Sequence, residues 1–279
     1  KSVITHKASG RRVTFGAVAD MASKLEPPDA ASIVLKDPKD WRLIGKRLAR
    51  LDTVKKTMGA QNYGIDVRLP GMLNAAIRDC PVFGGKVKSF NAAGIEARPG
   101  VKKVVQVGDS AVAVVADTWW RAKTALEALA IDWDLGPNAS ASTESMRSRM
   151  REGLDAKEAA IGANRGDAPA ALAGAARKIE AVYGYPHLSH APLEPMNATA
   201  RWTPERCEVW VPTQNAESAL AATSEAAGLP PAKCEVYQEY LGGGFGRRAR
   251  NDFVTQAVQI AQTMPGTPIK RSEEHTSEL

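Results

Sequence analysis

The sequence predicts an α+β fold, and three observations carry the prediction. Short apolar or alternating runs of strand length recur at residues 72–77, 101–107, 111–116, 207–211 and 235–241. Between them lie amphipathic stretches with recognisable caps. Thr118 opens one, and residues 251–262 place Val254, Ala257, Val258 and Ala261 on a single helical face. With 279 residues, 44% of them apolar, the chain can bury more than one core. No run approaches the roughly 20 uninterrupted apolar residues of a membrane span.

Taken in order, residues 1–59 contain one helix, capped by Thr14 and running over 15–24 until Pro27 and Pro28 stop it; the remainder is extended. Lys1 to His6 show no initiator Met, basic leader or small-residue cleavage site, so the chain reads as processed or truncated and its compartment is not legible. Residues 60–135 form a small α+β unit with strands at 72–77, 101–107 and 111–116, a helix from Thr118 through Leu129, and a closing strand over 131–134. Trp119 and Trp120 read as apolar anchors of that unit. Residues 136–166 are a turn-rich linker followed by an exposed, charged helix over 144–157.

A second unit occupies residues 167–270. Asp167 caps a short Ala-rich helix, Ile179, Ala181, Tyr183 and Tyr185 alternate as one face of a strand, and Pro186, Pro192 and Pro195 punctuate a crossover. A strand at 207–211, a helix at 217–227 closed by Gly228, a strand at 235–241, a glycine loop and the helix at 251–262 follow. The last nine residues, 271–279, follow no period and read as the translation of a common DNA-sequencing adapter, so the native reading is expected to end at Lys270.

Lys and Arg outnumber Asp and Glu by 37 to 31, but the two signs are interleaved along most of the chain, the pattern of a solvated surface. Cys80, Cys207 and Cys234 lie far apart without a C-x-x-C pair. That argues against a disulfide framework, a zinc site or an iron–sulfur cluster, and for buried, inert thiols.

The run Gly242, Gly243, Gly244, Phe245, Gly246, Arg247, Arg248 carries the chemistry. Four glycines in five positions between a strand and a helix let backbone N–H groups approach a ligand. The helix start and the two arginines favour an anion or an oxyanion. One or two glycines suffice for a tight turn, so the loop exceeds that need. It is not a dinucleotide fingerprint, because the third required glycine would be residue 247, which is Arg, and no Gly-Lys-Ser/Thr marks a P-loop. The RNA-binding octamer needs a basic residue at 243 and aromatics at 247 and 250, where this chain has Gly243, Arg247 and Arg250. His187 and His190 are spaced i, i+3, but Pro186 and Pro192 disfavour the helix that would make them a ligand pair. Glu194 reads as a loop anchor, and Gln214 either donates to a ligand or satisfies local backbone.

The glycine run, preceded by Trp210 to Asn215 (WVPTQN) and by His190 to Ala198 (HAPLEPMNA), resembles the molybdenum-binding large subunit of the xanthine dehydrogenase and aldehyde oxidase family. The branch it is most similar to is the isoquinoline 1-oxidoreductase beta-subunit type. Residues 36–45 and 63–72 resemble the segments leading into that family's α/β hammerhead domain. The resemblance implies a hammerhead-type domain over 60–135 followed by the start of a molybdopterin-binding α+β domain.

It further implies molybdopterin, in the cytosine dinucleotide form, with molybdenum, and a reaction that hydroxylates an aldehyde or N-heterocycle with water-derived oxygen. Iron–sulfur clusters would sit on a separate small [2Fe-2S] subunit, and no nucleic-acid partner is implied. Gly243, Gly244, Phe245, Gly246, Arg247 and Gln214 would hold the cofactor, with Phe245 lining the site and Arg247 on a cofactor phosphate. The resemblance places the catalytic glutamate beyond Lys270, and neither Glu194 nor Glu239 matches it, so no catalytic residue and no metal ligand is assigned within the chain. Leu188 stands where the xanthine-oxidising branch has Gln, and Arg247, Arg248 and Ala249 replace its Gly-Lys-Glu, so purine specificity is not expected. The rival reading is a non-catalytic anion- or nucleic-acid-binding protein using the same loop and a basic surface.

Overall fold

In the amino-terminal unit, Lys1–Met58, β1 (Val3–Thr5) and β2 (Arg12–Thr14) form an antiparallel hairpin with Val3 opposite Thr14. Thr14 then caps α1 (Phe15–Ala22), its hydroxyl accepting from the Ala17 N–H at 3.3 Å, as the sequence predicts. A short α2 (Thr53–Thr57) closes the unit, and none of its described residues is buried. The computed structural model describes residues 2–158 and 160–273.

The second unit, Gly59–Leu279, opens with β3 (Leu73–Asp79), β4 (Lys86–Phe90) and a single turn, α3 (Ala93–Glu96). Next come β5 (Val101–Val107), β6 (Ala111–Ala116), α4 (Trp119–Glu127) and β7 (Ile131–Asp134). The predicted cap holds here too, with the Thr118 hydroxyl accepting from Arg121 N–H. The charged stretch forms α5 (Thr143–Leu154), which buries no residue, and Asp167 caps α6 (Ala168–Ala173) through Ala170 N–H at 2.9 Å. Then follow β8 (Asn197–Trp202), β9 (Cys207–Val211), α7 (Ala216–Ala227), β10 (Cys234–Gln238), α8 (Asp252–Gln262) and β11 (Ile269–Ser272). Gly228 ends α7 in the left-handed conformation that favours glycine.

Seven strands form one mixed sheet in the order β10-β9-β8-β11-β3-β6-β5, while β4 and β7 pair separately. β11 joins the halves: it runs parallel to β3, with Ile269 opposite Leu73, and antiparallel to β8, with Ile269 opposite Ala200. Strands from 60–135 and from 167–270 therefore share one hydrogen-bonded sheet. The fold is α+β, as expected.

Core placement follows the alternation. Val112, Val114 and Ala116 of β6 meet Ala122, Ala125 and Leu126 of α4 on one face. Ala113 and Val115 meet Ile260 of α8 on the other. Covered on both faces, β6 reads as an unbroken apolar run. A third cluster packs Met196, Ala198, Ala200, Cys207, Val209 and Val211 against Ala219 of α7 and Phe253, Val254, Ala257 and Val258 of α8.

Four expectations need correction. Residues 179–185 form no strand, and Ile179, Val182, Tyr183 and Tyr185 are exposed, because an alternating segment becomes a strand only when a sheet edge accepts its backbone groups. β8 and β11 form where only a crossover and a terminus were read; β8 alternates Asn197, Thr199 and Arg201 with Ala198 and Ala200, too weakly apolar to stand out. Trp120 lies exposed over the Lys123 ammonium at 5.5 Å, so Trp119, half-buried, is the only one of the two that packs as an anchor. Arg271 and Ser272, assigned to the tail, close β11 through backbone pairing that any side chain permits, whereas residues 274–279 lie outside the described residues.

Lys270 is buried in β11, and its ammonium donates to the Ile65 carbonyl. Burial, aided by the charge of Arg68, lowers its pKa to about 8. The unfolded chain keeps that proton to about pH 10.4 while the folded chain releases it near 8, so stability should rise with pH across this interval. The expected result is a rise in urea midpoint between pH 8 and 10 that Lys270→Met flattens; an unchanged slope in the variant would contradict the assignment.

Candidate functional site

β9 and β10 are parallel neighbours, Val209 opposite Val236, and both lead from their carboxyl ends into the site. Beyond β9 come Pro212, Thr213 and Gln214; beyond β10 comes the glycine loop. Carboxyl ends of adjacent parallel strands are where α/β layers gather ligand-binding loops. The buried Thr213 hydroxyl donates to the Arg248 carbonyl at 3.1 Å, and Gln214 N–H donates to the same oxygen at 3.1 Å. The two loops are thus tied edge to edge.

Space as well as conformation demands the glycines. A methyl group on Gly242 would overlap Glu194 Cβ, and one on Gly244 would stand 2.6 Å from Gln214 Oε1. Gly243 and Gly246 have φ of +102° and +96°, and Phe245 is held at +50°, a conformation costing a non-glycine residue of order 1–3 kcal/mol. Strain of this size persists where the surroundings hold the chain, and a buried ion pair binds the neighbouring Gly242 and Gly243 here.

Glu194 Oε2 accepts from the Gly242 N–H at 2.7 Å and faces Arg248 Nη2 at 3.1 Å. Its Oε1 accepts from the Ile65 N–H at 2.9 Å and from Asn197 Nδ2 at 3.0 Å. Arg248, with no exposed surface, donates from Nε to the Gly243 carbonyl at 2.7 Å and from Nη2 to the Glu194 carbonyl at 2.6 Å. Burial lowers its pKa, against the pull of Glu194. Glu194 is the loop anchor that the sequence suggests. Arg248 was read as charge for a ligand, but it is the internal half of the clamp.

Of the residues expected to hold a cofactor, Gln214, Gly243, Gly244, Phe245 and Gly246 come together. Gln214 Oε1 accepts from the Gly246 N–H at 3.0 Å, which leaves the amide Nε2 without an acceptor among the described residues. Arg247 N–H turns back to the Gly244 carbonyl at 2.8 Å. The N–H groups of Gly243, Gly244 and Phe245 then have no acceptor among the described residues, and Arg248 Nη1 is buried without a partner. The Phe245 ring stands mostly exposed beside Gly243.

Arg247 makes a bidentate pair with Asp252 at the start of α8, both contacts 2.8 Å, so the two Nη groups offered in the sequence reading to a phosphate are already engaged. With both arginines paired internally, the loop presents backbone donors rather than a basic patch. The His190 ring lies about van der Waals distance from the space over Gly246, while His187 is exposed elsewhere on the same irregular segment. Burial, and then the charge of Glu194, raises the Glu239 carboxyl above the usual range.

Residues 153–279 match the family described as molybdopterin cofactor-binding domain. The chain is 28% identical, over 94% of its length, to the membrane-bound aldehyde dehydrogenase (pyrroloquinoline-quinone) of Gluconacetobacter polyoxogenes, of which it covers 36%. It is 26% identical, over 91% of its length, to isoquinoline 1-oxidoreductase subunit beta of Brevundimonas diminuta, of which it covers 34%. Quinoline 2-oxidoreductase from Pseudomonas putida 86 shares the fold with a TM-score of 0.62 at 19% identity, over 82% of this chain and 34% of that one. The chain thus spans about a third of the length of these proteins. No described helix is long and apolar enough to cross a membrane. Domain match, relatives and fold point the same way as the loop's architecture: residues 153–279 match a molybdopterin cofactor-binding domain, and the chain as a whole is similar to isoquinoline 1-oxidoreductase subunit beta and shares the fold of quinoline 2-oxidoreductase.

Proposed function

We propose that this chain contributes the glycine-loop wall of a molybdopterin site in the large subunit of an oxidoreductase that hydroxylates an aldehyde or an aromatic N-heterocycle with oxygen from water. The observation that carries the reading is the cradle of N–H groups at Gly243, Gly244 and Phe245, which have no acceptor among the described residues and are flanked by the Gln214 amide. Such donors suit an oxyanion or a phosphate, and the glycines leave room for its close approach. When bound, molybdenum on its pterin supplies two-electron redox chemistry. The chain's own part would be to hold the N–H groups of Gly243, Gly244 and Phe245 and the Gln214 amide in fixed positions toward the oxygen atoms of that group.

In this reading the cofactor is the cytosine dinucleotide form, residues 60–135 make a hammerhead-type domain, and the catalytic carboxylate comes from outside residues 1–270. Electrons leave through a separate [2Fe-2S] subunit, since Cys80, Cys207 and Cys234 do not form a cluster set. Arg247 reaches a cofactor phosphate only by sharing or leaving Asp252.

The test is metal and pterin analysis of the purified large subunit that carries this chain, together with dye-linked oxidation of benzaldehyde and of isoquinoline. The expected result is stoichiometric molybdenum, a fluorescent pterin on acid oxidation, and turnover of one of the two substrates. A well-folded preparation that takes up neither molybdenum nor pterin when produced with active cofactor synthesis would overturn the proposal.

A further inference from the structure

We propose that Cys207 and Cys234 form a reversible cross-strand disulfide, closed by thiol–disulfide exchange with a small-molecule disulfide such as oxidised glutathione. The two cysteines, 27 positions apart in sequence, are the first residues of β9 and β10 and lie directly opposite each other in the parallel ladder. Paired residues on neighbouring strands have Cα atoms about 4.8 Å apart, inside the roughly 4.4–6.8 Å that a disulfide spans. Residues in register point to the same side of a sheet, and both thiols do so here: Cys207 is buried in the core cluster of β8, β9, α7 and α8, and Cys234 packs against its rim. Neither is oxidised, and each is a free thiol.

Access decides the order of events. Cys234 is half-buried, whereas Cys207 has no exposed surface. The Cys234 thiolate attacks one sulfur of the small disulfide, forming a mixed disulfide and releasing one thiolate. Cys207, after losing its proton, attacks the Cys234 sulfur, forms the internal bond and expels the second thiolate. The protein loses two electrons and two protons, and the small disulfide gains both. Burial pushes the Cys207 thiol up to about 12 and raises Cys234 as well. Exchange is therefore slow near neutrality and faster in mild alkali.

The bond would close the β9–α7–β10 crossover at the amino ends of the two strands whose carboxyl ends hold Gln214 and the glycine loop. β10 is an edge strand of the sheet, so the bridge would stop it from peeling away from β9. This inference rests on strand register alone and stands whether or not the chain binds molybdopterin.

The sequence provides a clean assay, because Arg206 precedes Cys207 and Lys233 precedes Cys234. The full chain is incubated with oxidised glutathione at pH 8.5 in native buffer, free thiols are alkylated, and the product is digested with trypsin without reduction and analysed by mass spectrometry. The expected product is the peptide beginning at Cys207 linked to the one beginning at Cys234, lighter by two hydrogens than the pair and released by dithiothreitol, with Cys80 outside the link. A parallel reaction in urea, where all three cysteines are accessible, establishes that reagent and digest work. The proposal is overturned if native protein yields both cysteines separately alkylated, or glutathione retained on Cys234 without the link, or a link to Cys80.

Discussion

Arg248→Ala is expected to lower the unfolding free energy of the Gly59–Leu279 unit by about 3–5 kcal/mol, the range for removing one partner of a buried ion pair. The reason lies in what remains. Glu194, with 5% of its side chain exposed, keeps its negative charge away from water and loses its only ion pair among the described residues, and the carbonyls of Gly243 and Glu194 lose their donor. Glu194→Ala should cost a similar amount by stranding the guanidinium and freeing the N–H groups of Gly242 and Ile65. Because each single change strands the other partner, the double variant should lose clearly less than the two losses added together. Urea unfolding of the two single variants and the double variant measures this. A loss below about 1 kcal/mol for Arg248→Ala, the range of an exposed pair, or strict additivity, would show that the clamp does not hold the loop.

Gly244→Ala should largely abolish molybdopterin retention, by ten-fold or more in molybdenum per protein, while leaving the fold intact. The added methyl would stand 2.6 Å from Gln214 Oε1, the far end of a flexible side chain, so the amide can swing away at modest cost in stability. Swinging away breaks its bond to the Gly246 N–H and removes the free Nε2 donor from the cradle. A ten-fold loss corresponds to about 1.4 kcal/mol of binding, less than a single well-placed charged hydrogen bond contributes. The double variant Gly244→Ala with Gln214→Ala relieves the collision without restoring the donor, so it should regain stability and not cofactor. If cofactor content in Gly244→Ala matched wild type, the cradle would be a structural turn and nothing more.

Legibility differed from element to element. Caps were legible because they depend on neighbours three residues away: Thr14, Thr118 and Asp167 each accept the N–H that their position in sequence predicts. The buried strand β6 was legible because covering both faces demands an unbroken apolar run. β11 was not, since its four residues form a strand only because β3 and β8 offer edges on either side. Residues 179–185 are the converse, with the right alternation and no edge to receive it.

By itself the sequence determined the fold class, the caps, the glycine loop and, through its ordered motifs, the resemblance to molybdopterin-binding proteins. These are local properties, written in the spacing of small, apolar and capping residues. Only the tertiary structure decided the roles of the paired arginines, because identical side chains at adjacent positions turned opposite ways. Arg247 meets Asp252 in partial contact with solvent, and Arg248 is driven inward onto Glu194, 54 positions away. It also set Cys207 beside Cys234. A residue's type fixes which bonds it can make, but burial and long-range register select which of them it does make.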